Sequence, residues 1–181
     1  MARPLDELFR GIRRCRRCER CITRHLAVPG EGPAGASMLL LGEAPGRSED
    51  ALGRPFQGRA GVYLDAVFAE HGIGRERTFI TSILKCYHPG TPKPQQIEAC
   101  RPWTLEQIEA AAPKVILVMG LAAAGGLLGM RSLGEQELDA VRQGIPCVVT
   151  CHPAAAMRFK RRNAQFRRDF ARLIRMVRDY A

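Results

Sequence analysis

The sequence lacks a long uninterrupted apolar segment, and it contains few aromatic residues and few lysines. Its longest apolar stretch, around residues 110–128, is broken by Pro113, Lys114 and a glycine pair, so it is a poor candidate for a membrane span. Residues 1–14 lack the apolar middle of a secretory signal peptide. We therefore expect a cytoplasmic protein that has no membrane among its partners.

Disorder, internal repeats and a second ordinary domain are also poorly supported. Hydrophobic residues make up 46% of the 181-residue chain and charged residues 25%, a balance typical of folded globular proteins. The length suits one domain with a sizeable core. The sequence contains no repeat, low-complexity tract or interdomain linker. We expect residues 1–181 to form a single domain and to act as a monomer.

Positive charge dominates the sequence and is almost entirely arginine. The chain has 28 lysines and arginines against 18 acidic residues, and 24 of the cations are arginines. Residues 1–24 and 156–181 together carry a net charge of +12, whereas the middle of the chain carries −2. A genomic preference for arginine codons would explain the type of cation but not this segregation. Because the arginine fork matches phosphate groups, we favour nucleic acid as the partner.

Short apolar runs alternate with helical patterns along the chain. Four runs have the length of buried strands, and they occupy residues 38–41, 78–81, 115–119 and 146–150. Apolar residues recur at helical spacing in four other segments, at residues 60–71, 94–112, 121–128 and 163–180. This alternation predicts an α/β fold in which helices cover a small parallel sheet. Ligands of such sheets bind beyond the carboxyl ends of the strands.

The loops after these runs contain the residues best suited to chemistry. The glycine-rich loops that begin at residue 42 match neither G-x-G-x-x-G nor the P-loop, which disfavours a dinucleotide or ATP site. Glu43 and Glu49 offer carboxylates for activating water or stabilising a cation, and Phe56 offers a flat face. His152, which precedes a proline and four cations, suits the stabilisation of negative charge. Considered singly, each of these residues is more often structural.

Seven cysteines are present, and several of them are clustered. In a reducing compartment such cysteines are better candidates for metal or redox ligands than for disulfides. The first three form two overlapping C-x2-C steps, and the four ligands of a metal site must be chosen from the seven cysteines. The seven cysteines are Cys15, Cys18, Cys21, Cys86, Cys100, Cys147 and Cys151.

Several motifs, taken in order, resemble a family 4 uracil-DNA glycosylase. They are the first C-x2-C, the Val-Pro-Gly-Glu-Gly segment at 28–32, the GEAPG and PF-x-GRAG loops, the strand and loop at 80–86, and the His-Pro pair at 152–153. The match is collinear over roughly residues 15–170, and several ordered motifs are far more specific than one. The resemblance implies a three-layer α/β/α sandwich with a four-stranded parallel sheet. It also implies cleavage of the N-glycosidic bond of uracil in deaminated DNA, at the bacterial nucleoid.

The resemblance assigns chemical roles to residues of this sequence. A flipped base must be stacked on an aromatic face and read along its polar edge, and the base-binding set is Gly42, Ala44, Phe56 and Ser82. Glu43 and Glu49 match carboxylates that orient water and stabilise the sugar cation, and His152 matches the donor to the uracil anion. Ala44 lies where other uracil glycosylase families carry an activating Asp. The residues expected to contact DNA are Arg59, Met157, Arg158 and Arg161.

The segment after the second strand departs from the family pattern. The family usually reads Thr-Asn-x-x-Lys-Cys there, and the Asn amide pairs with uracil, whereas residues 81–86 read Thr-Ser-Ile-Leu-Lys-Cys. Ser82 cannot pair bidentately as Asn does. We therefore expect weaker or altered base discrimination, with hypoxanthine, xanthine or another deaminated base tolerated. A weak or inactive DNA-binding protein, or a redox or zinc protein with incidental basic charge, remains an alternative.

The resemblance further implies a [4Fe–4S] cluster on Cys15, Cys18, Cys86 and Cys100, which leaves Cys21 extra. Zinc on the same thiolates is the alternative, because an all-cysteine site suits both. The loop at 87–94 is shorter than is usual in the family. Its His88 invites comparison with a branch that attaches covalently to DNA through a loop histidine, but the surrounding residues do not match that branch. We expect Cys147 to be a buried small hydrophobe, and Cys151 has no assigned role.

Overall fold

The computed structural model describes residues 2–133, 140–142 and 144–179, and within them the chain alternates between helices and strands. The strands are β1 (Met38–Gly42), β2 (Phe79–Ser82), β3 (Val115–Met119), β4 (Ala140–Arg142) and β5 (Ile145–Thr150). The α-helices are α1 (Leu5–Arg13), α2 (Arg20–Thr23), α3 (Arg47–Leu52), α4 (Arg59–Glu70), α5 (Pro94–Ala111), α6 (Leu121–Leu128), α7 (Pro153–Arg158) and α8 (Lys160–Asp179). A 3-10 helix spans Arg75–Arg77.

The strands form one sheet in the order β2-β1-β3-β5-β4. The first four of these run parallel, and β4 pairs antiparallel with β5 at the edge. The expected four-stranded parallel sheet is therefore confirmed. β4 is an addition that the sequence did not predict, because three residues are too few to show a strand pattern.

Helices cover both faces of the sheet, because neighbouring residues of a buried strand point to opposite sides. Leu40 of β1 packs with Leu64 of α4 and Phe166 of α8. Its neighbour Leu39 packs on the other face with Ile108 of α5, and α6 contributes to the same cluster. The two apolar clusters confirm the three-layer α/β/α architecture.

Most of the predicted elements match observed ones to within a few residues. The helix predicted at 163–180 is α8, which begins at Lys160, and position 180 lies outside the described residues. The short helices α3 and α7, like α1, were not predicted. Among the residues that the structure describes, no helix is both long enough and apolar enough to cross a lipid bilayer.

The N-terminal helix α1 packs against α5 through a third apolar cluster. Leu8 and Ile12 are fully buried there beside Trp103 and Cys100. Gly11 allows the close approach, since a Cβ at that position would lie 2.7 Å from Trp103 Cη2. This packing brings the first cysteines, which follow α1, next to Cys86 in the loop after β2 and to Cys100 of α5.

Candidate active site and cysteine site

The loops that follow β1, β2 and β5 meet beyond the carboxyl ends of the parallel strands. Gly42 and Ser82 are register partners at the ends of β1 and β2, and β5 ends two residues before His152. The loops surround a cavity of about 370 Å³, a size found in small-ligand sites. Six predicted site residues are among those that line it, namely Ala44, Glu49, Phe56, Arg59, Ser82 and His152.

Phe56 forms the wall of the cavity that faces His152. The two ring centroids are 6.2 Å apart and the ring planes differ by 23°. Phe56 has a φ of +51°, a left-handed conformation that is uncommon for a bulky residue. Two glycines make room for it: a Cβ on Gly42 would lie 2.7 Å from Phe56 Cζ, and one on Gly61 would lie 1.8 Å from the Phe56 carbonyl oxygen. The glycine-rich loops therefore serve to place this ring.

The Glu49 carboxylate is bound by backbone amides on the same side of the sheet. Oε1 accepts the N–H groups of Gln57 at 2.8 Å and Gly58 at 2.9 Å. Oε2 accepts that of Gly46 at 2.9 Å, at the N-terminus of α3. A carboxylate has about four acceptor positions, so about one remains for another donor. Glu49 thus fixes the segment after Phe56 and keeps some capacity to bind water.

His152 caps the N-terminus of α7, where its ring orientation is fixed. Its Nδ1 accepts the backbone N–H of Ala154 at 3.2 Å. Burial lowers the pKa of His152 to about 4, although the charge of Glu49 opposes this shift. At neutral pH the ring is therefore uncharged, and because Nδ1 is an acceptor, the proton is on Nε2. The site contains a neutral N–H donor rather than an imidazolium.

Glu43 points away from the Phe56 cavity. It lines a second cavity, of about 480 Å³, together with Thr91 and Ile97. Burial raises the pKa of the Glu43 carboxyl, while the charge of Arg20 opposes the shift. The structure therefore brings Glu49 together with Phe56 and His152 but places Glu43 beside them, and its catalytic role stays a prediction.

Ser82 lies at the base of the cavity, next to Gly42. A Cβ on Gly42 would be 3.3 Å from Ser82 Oγ. The Ser82 carbonyl oxygen accepts a hydrogen bond of 2.5 Å from Lys85 Nζ, which also donates to Thr81 Oγ1 at 2.8 Å. Position 82 is thus rigidly held, and the backbone there is tied to the residue that precedes Cys86.

The residues expected to contact DNA are exposed. Arg59 is at the start of α4 and lines the cavity, whereas Met157 and Arg158 are in the last turn of α7 and Arg161 is in the first turn of α8. Met157 is 37% exposed, and the neighbouring Phe159 is 61% exposed. Phe159 was not singled out from the sequence, although an aromatic residue between Arg158 and a lysine is a pattern found in nucleic-acid-binding surfaces.

The first five cysteines of the sequence lie together. They line one depression with Arg24 and Lys85, and they are Cys15, Cys18, Cys21, Cys86 and Cys100. Charge interactions connect Cys86 with Cys15 and Cys18, and Cys100 with Cys86 and Cys15. Within the described ranges, no three His, Cys, Asp or Glu side chains converge closely enough to hold a single metal ion.

Cationic and N–H donor groups surround these sulfurs. Arg24 Nη1 donates to Cys86 Sγ at 3.0 Å, and Trp103 Nε1 donates to Cys15 Sγ at 3.3 Å. Arg20 and Lys85 are both 1% exposed and lie close to the cysteines. Arg20 Nη2 is buried without a hydrogen-bond partner. Buried cations are costly without an anion, so a group that carries net negative charge through four thiolates fits this environment.

The other singled-out residues lie outside these two sites. Cys147 is buried within β5, where burial raises the pKa of its thiol to about 11. Cys151 Sγ donates to the carbonyl oxygen of Arg162 at 3.4 Å. His88 Nδ1 is 3.3 Å from Thr23 Oγ1, so the short loop contacts the segment that carries the first cysteines.

Comparison with known proteins gives a consistent result over most of the chain. The Uracil DNA glycosylase superfamily profile matches residues 29–175. A type-4 uracil-DNA glycosylase of Pyrobaculum aerophilum is 35% identical over 92% of this chain and 91% of its own length. One of Archaeoglobus fulgidus is 33% identical over 93% of this chain and 91% of its length. A third, from Thermotoga maritima, is 39% identical over 62% of this chain and 59% of its length.

Proposed function

Because this chain belongs to the uracil-DNA glycosylase superfamily, we propose that it removes uracil from DNA by hydrolysing the N-glycosidic bond. The observation that carries the proposal is the cavity at the carboxyl ends of the strands, which brings an aromatic face, a neutral histidine and a buried carboxylate together. DNA with a deaminated base is the substrate, and the enzyme acts as a monomer.

The base enters the cavity flipped out of the DNA stack. Phe56 provides the stacking surface, and the His152 ring, whose centroid is 6.2 Å from that of Phe56, is close enough to reach an oxygen of the base. The polar edge of the base faces Ser82 and the Gly42 backbone at the ends of β2 and β1. Stacking of this kind, together with edge recognition, is how enzymes hold a flipped base.

His152 stabilises the leaving group. As the bond between the sugar C1′ and the uracil N1 breaks, its electron pair passes to the base, and negative charge develops on the uracil oxygens. A neutral Nε2–H donates a hydrogen bond to that charge, and its orientation is already set by the Ala154 amide. Since burial lowers the pKa of His152 to about 4, the ring acts as a donor and is not required to deliver its proton.

Glu49 acts on the sugar side of the reaction. The sugar becomes oxocarbenium-like, and the negative charge of the carboxylate stabilises it. The remaining acceptor position of Glu49 holds the water, which adds its oxygen to C1′ and passes one proton to the Glu49 carboxylate. Glu49 then returns that proton to solvent, and the departing uracil anion takes up one proton from solvent. Glu43, on the wall of the neighbouring cavity, is assigned a supporting role through the loop that it shares with Ala44.

The exposed basic residues hold the DNA on either side of the flipped nucleotide. Arg59 at the cavity, with Arg158 and Arg161 beyond α7, supplies phosphate contacts, and Met157 supplies an apolar contact to the disturbed stack. Such contacts position the substrate and do not read its sequence.

Cys15, Cys18, Cys86 and Cys100 would hold a [4Fe–4S] cluster. The N–H donors to sulfur and the buried cations around these cysteines support a group that carries net negative charge through four thiolates, and the family's [4Fe–4S] cluster is such a group. When bound, the cluster would supply iron–thiolate bonds that join the N-terminal segment to the loop after β2 and to α5. Lys85, which donates to the Ser82 carbonyl, connects this site to the base cavity.

An excision assay on a panel of bases tests the proposal. Oligonucleotides that carry one uracil, hypoxanthine, xanthine or thymine are incubated with the protein, and abasic sites are revealed by alkaline cleavage. We expect cleavage at uracil and none at thymine. Cleavage at hypoxanthine or xanthine alone would show that the cavity serves another deaminated base, and binding without cleavage at any base would identify a DNA-binding protein.

A further inference from the structure

A single guanidinium group binds the loop that carries Phe56. Arg75, in the 3-10 helix before β2, has five N–H donors and uses all of them. Its Nη2 donates to the carbonyl oxygen of Pro55 at 2.6 Å, and its Nη1 donates to that of Phe56 at 3.1 Å. The other three donors bind the carboxylates of Glu31 and Asp65.

Glu31 anchors this guanidinium to the sheet. The backbone of Glu31 pairs with Ile80 of β2 through two hydrogen bonds, of 2.9 and 2.8 Å. Its Oε1 accepts two N–H groups of Arg75, at 3.0 and 2.7 Å. Its Oε2 accepts the Arg54 Nε at 3.0 Å, and Arg54 is in the same loop as Phe56. The position of the loop is thus fixed relative to an edge strand.

Two side chains therefore hold four consecutive residues of the loop. Arg75 binds the carbonyl oxygens of residues 55 and 56, and Glu49 binds the N–H groups of residues 57 and 58. Phe56 lies between them in its left-handed conformation. Such a conformation persists only where the surroundings impose it, and it is concentrated at ligand sites.

We infer that Arg75 is a positioning residue for base recognition, which sets the plane of the Phe56 ring and its separation from His152. The inference rests on the proposed function, because that is where Phe56 is assigned as the stacking surface. Arg75 is the counterpart of Glu49 on the carbonyl side of the loop. Lysine cannot replace it, because an ammonium group has three donors and no planar fork to reach two carbonyls and two carboxylates together.

The test compares Arg75→Met and Arg75→Lys with a matched control, Arg77→Met. Arg77 is in the same 3-10 helix and is exposed. Binding of free uracil is measured by calorimetry, and binding of an abasic duplex is measured in parallel. We expect both Arg75 variants to bind uracil roughly tenfold more weakly, within the range for loss of a base–aromatic stack, and to bind the abasic duplex normally. Arg77→Met binds both normally.

Hydrogen exchange at the Gln57 and Gly58 amides gives a second readout. If Arg75 holds the loop through the carbonyl oxygens of Pro55 and Phe56, these amides exchange faster in the Arg75 variants than in Arg77→Met. Glu31→Gln weakens the ion pair that holds Arg75 but leaves the Arg75 side chain in place, so it replaces Arg75→Met if that variant does not fold. A wild-type protein that releases no uracil overturns the proposed function. If the wild type releases uracil but the Arg75 variants bind free uracil as tightly as the wild type does, this inference alone is overturned.

Discussion

The ring of His152 lies 6.2 Å from the ring of Phe56, with only 23° between their planes. The two rings are 96 residues apart in the sequence, and different contacts hold them. The Ala154 amide fixes His152, and Gly42 and Gly61 leave room for Phe56. A base bound between these loops therefore meets a stacking surface and a hydrogen-bond donor that are oriented before it arrives, which is how preorganised sites stabilise developing charge.

The half-buried His152 makes folding stability depend on pH. Its folded pKa of about 4 is below the unfolded value of about 6.5, so folding favours the neutral ring. This contribution is fully present above pH 6.5 and is lost as the pH falls through about 4. The urea midpoint should fall more between pH 7 and pH 4.5 in the wild type than in His152→Gln. The exposed His25 provides the control, since His25→Gln should follow the wild type.

The two predicted carboxylates should differ in their effects on the reaction. Glu49→Gln places an amide group against three backbone N–H donors and removes the charge beside the sugar, so single-turnover excision should fall by about 10²-fold or more. Glu43→Gln changes the wall of the second cavity, and the loss should be below about tenfold. Binding to an abasic duplex shows whether affinity is retained. A larger loss for Glu43→Gln would reverse the two assignments.

Ser82→Asn should sharpen base selection. An amide at this position supplies both a donor and an acceptor to the base edge, and a bidentate pair is worth about 1–3 kcal/mol. We expect the ratio of uracil to hypoxanthine excision rates to rise about tenfold or more. Ser132→Asn, at an exposed position, should leave the ratio unchanged. Equal ratios in both variants would show that position 82 does not read the base.

Cysteine substitutions should separate the cluster ligands from Cys21. We expect Cys15→Ser, Cys18→Ser, Cys86→Ser and Cys100→Ser each to lose the brown colour and most of the iron. The wild type and Cys21→Ser should retain about four iron atoms per chain, since the four assigned thiolates are intact in both. Iron analysis and visible absorption provide the measurement. Loss of iron from Cys21→Ser but not from Cys15→Ser would change the ligand set, and one zinc per chain would exclude the cluster.

Much of the fold could be predicted from the sequence because its parallel strands are buried on both faces. Runs such as residues 115–119 are continuously apolar, and α4 and α8 show the helical period clearly. β4 and α7 have three and six residues, which is too short for a period to be visible. The order β2-β1-β3-β5 depends on long-range pairing, and it entered the prediction only through the family resemblance.

The sequence predicted most of the residues of the candidate site but not their arrangement in space. Glu43 and Glu49 are six residues apart, yet only Glu49 lines the cavity with Phe56, because the backbone amides of residues 46, 57 and 58 bind its carboxylate there. Arg20, Arg75 and Lys85 resemble the many surface cations of the sequence, although Arg20 and Lys85 are almost fully buried. The position of Arg20 beside a cysteine was the only signal for it, whereas Lys85 also matches the lysine of the family pattern Thr-Asn-x-x-Lys-Cys. Arg75 had none.

Single-turnover uracil excision by the wild type and by His152→Gln tests whether the neutral His152 ring stabilises the departing uracil. The wild type should release uracil from a uracil-containing oligonucleotide with enzyme in excess. His152→Gln should do so about 10²–10³-fold more slowly, as expected for removal of one donor to a developing anion, while it binds an abasic duplex with unchanged affinity. Absence of uracil release by the wild type would contradict the proposed uracil excision, and an equal rate in His152→Gln would contradict the proposed role of His152.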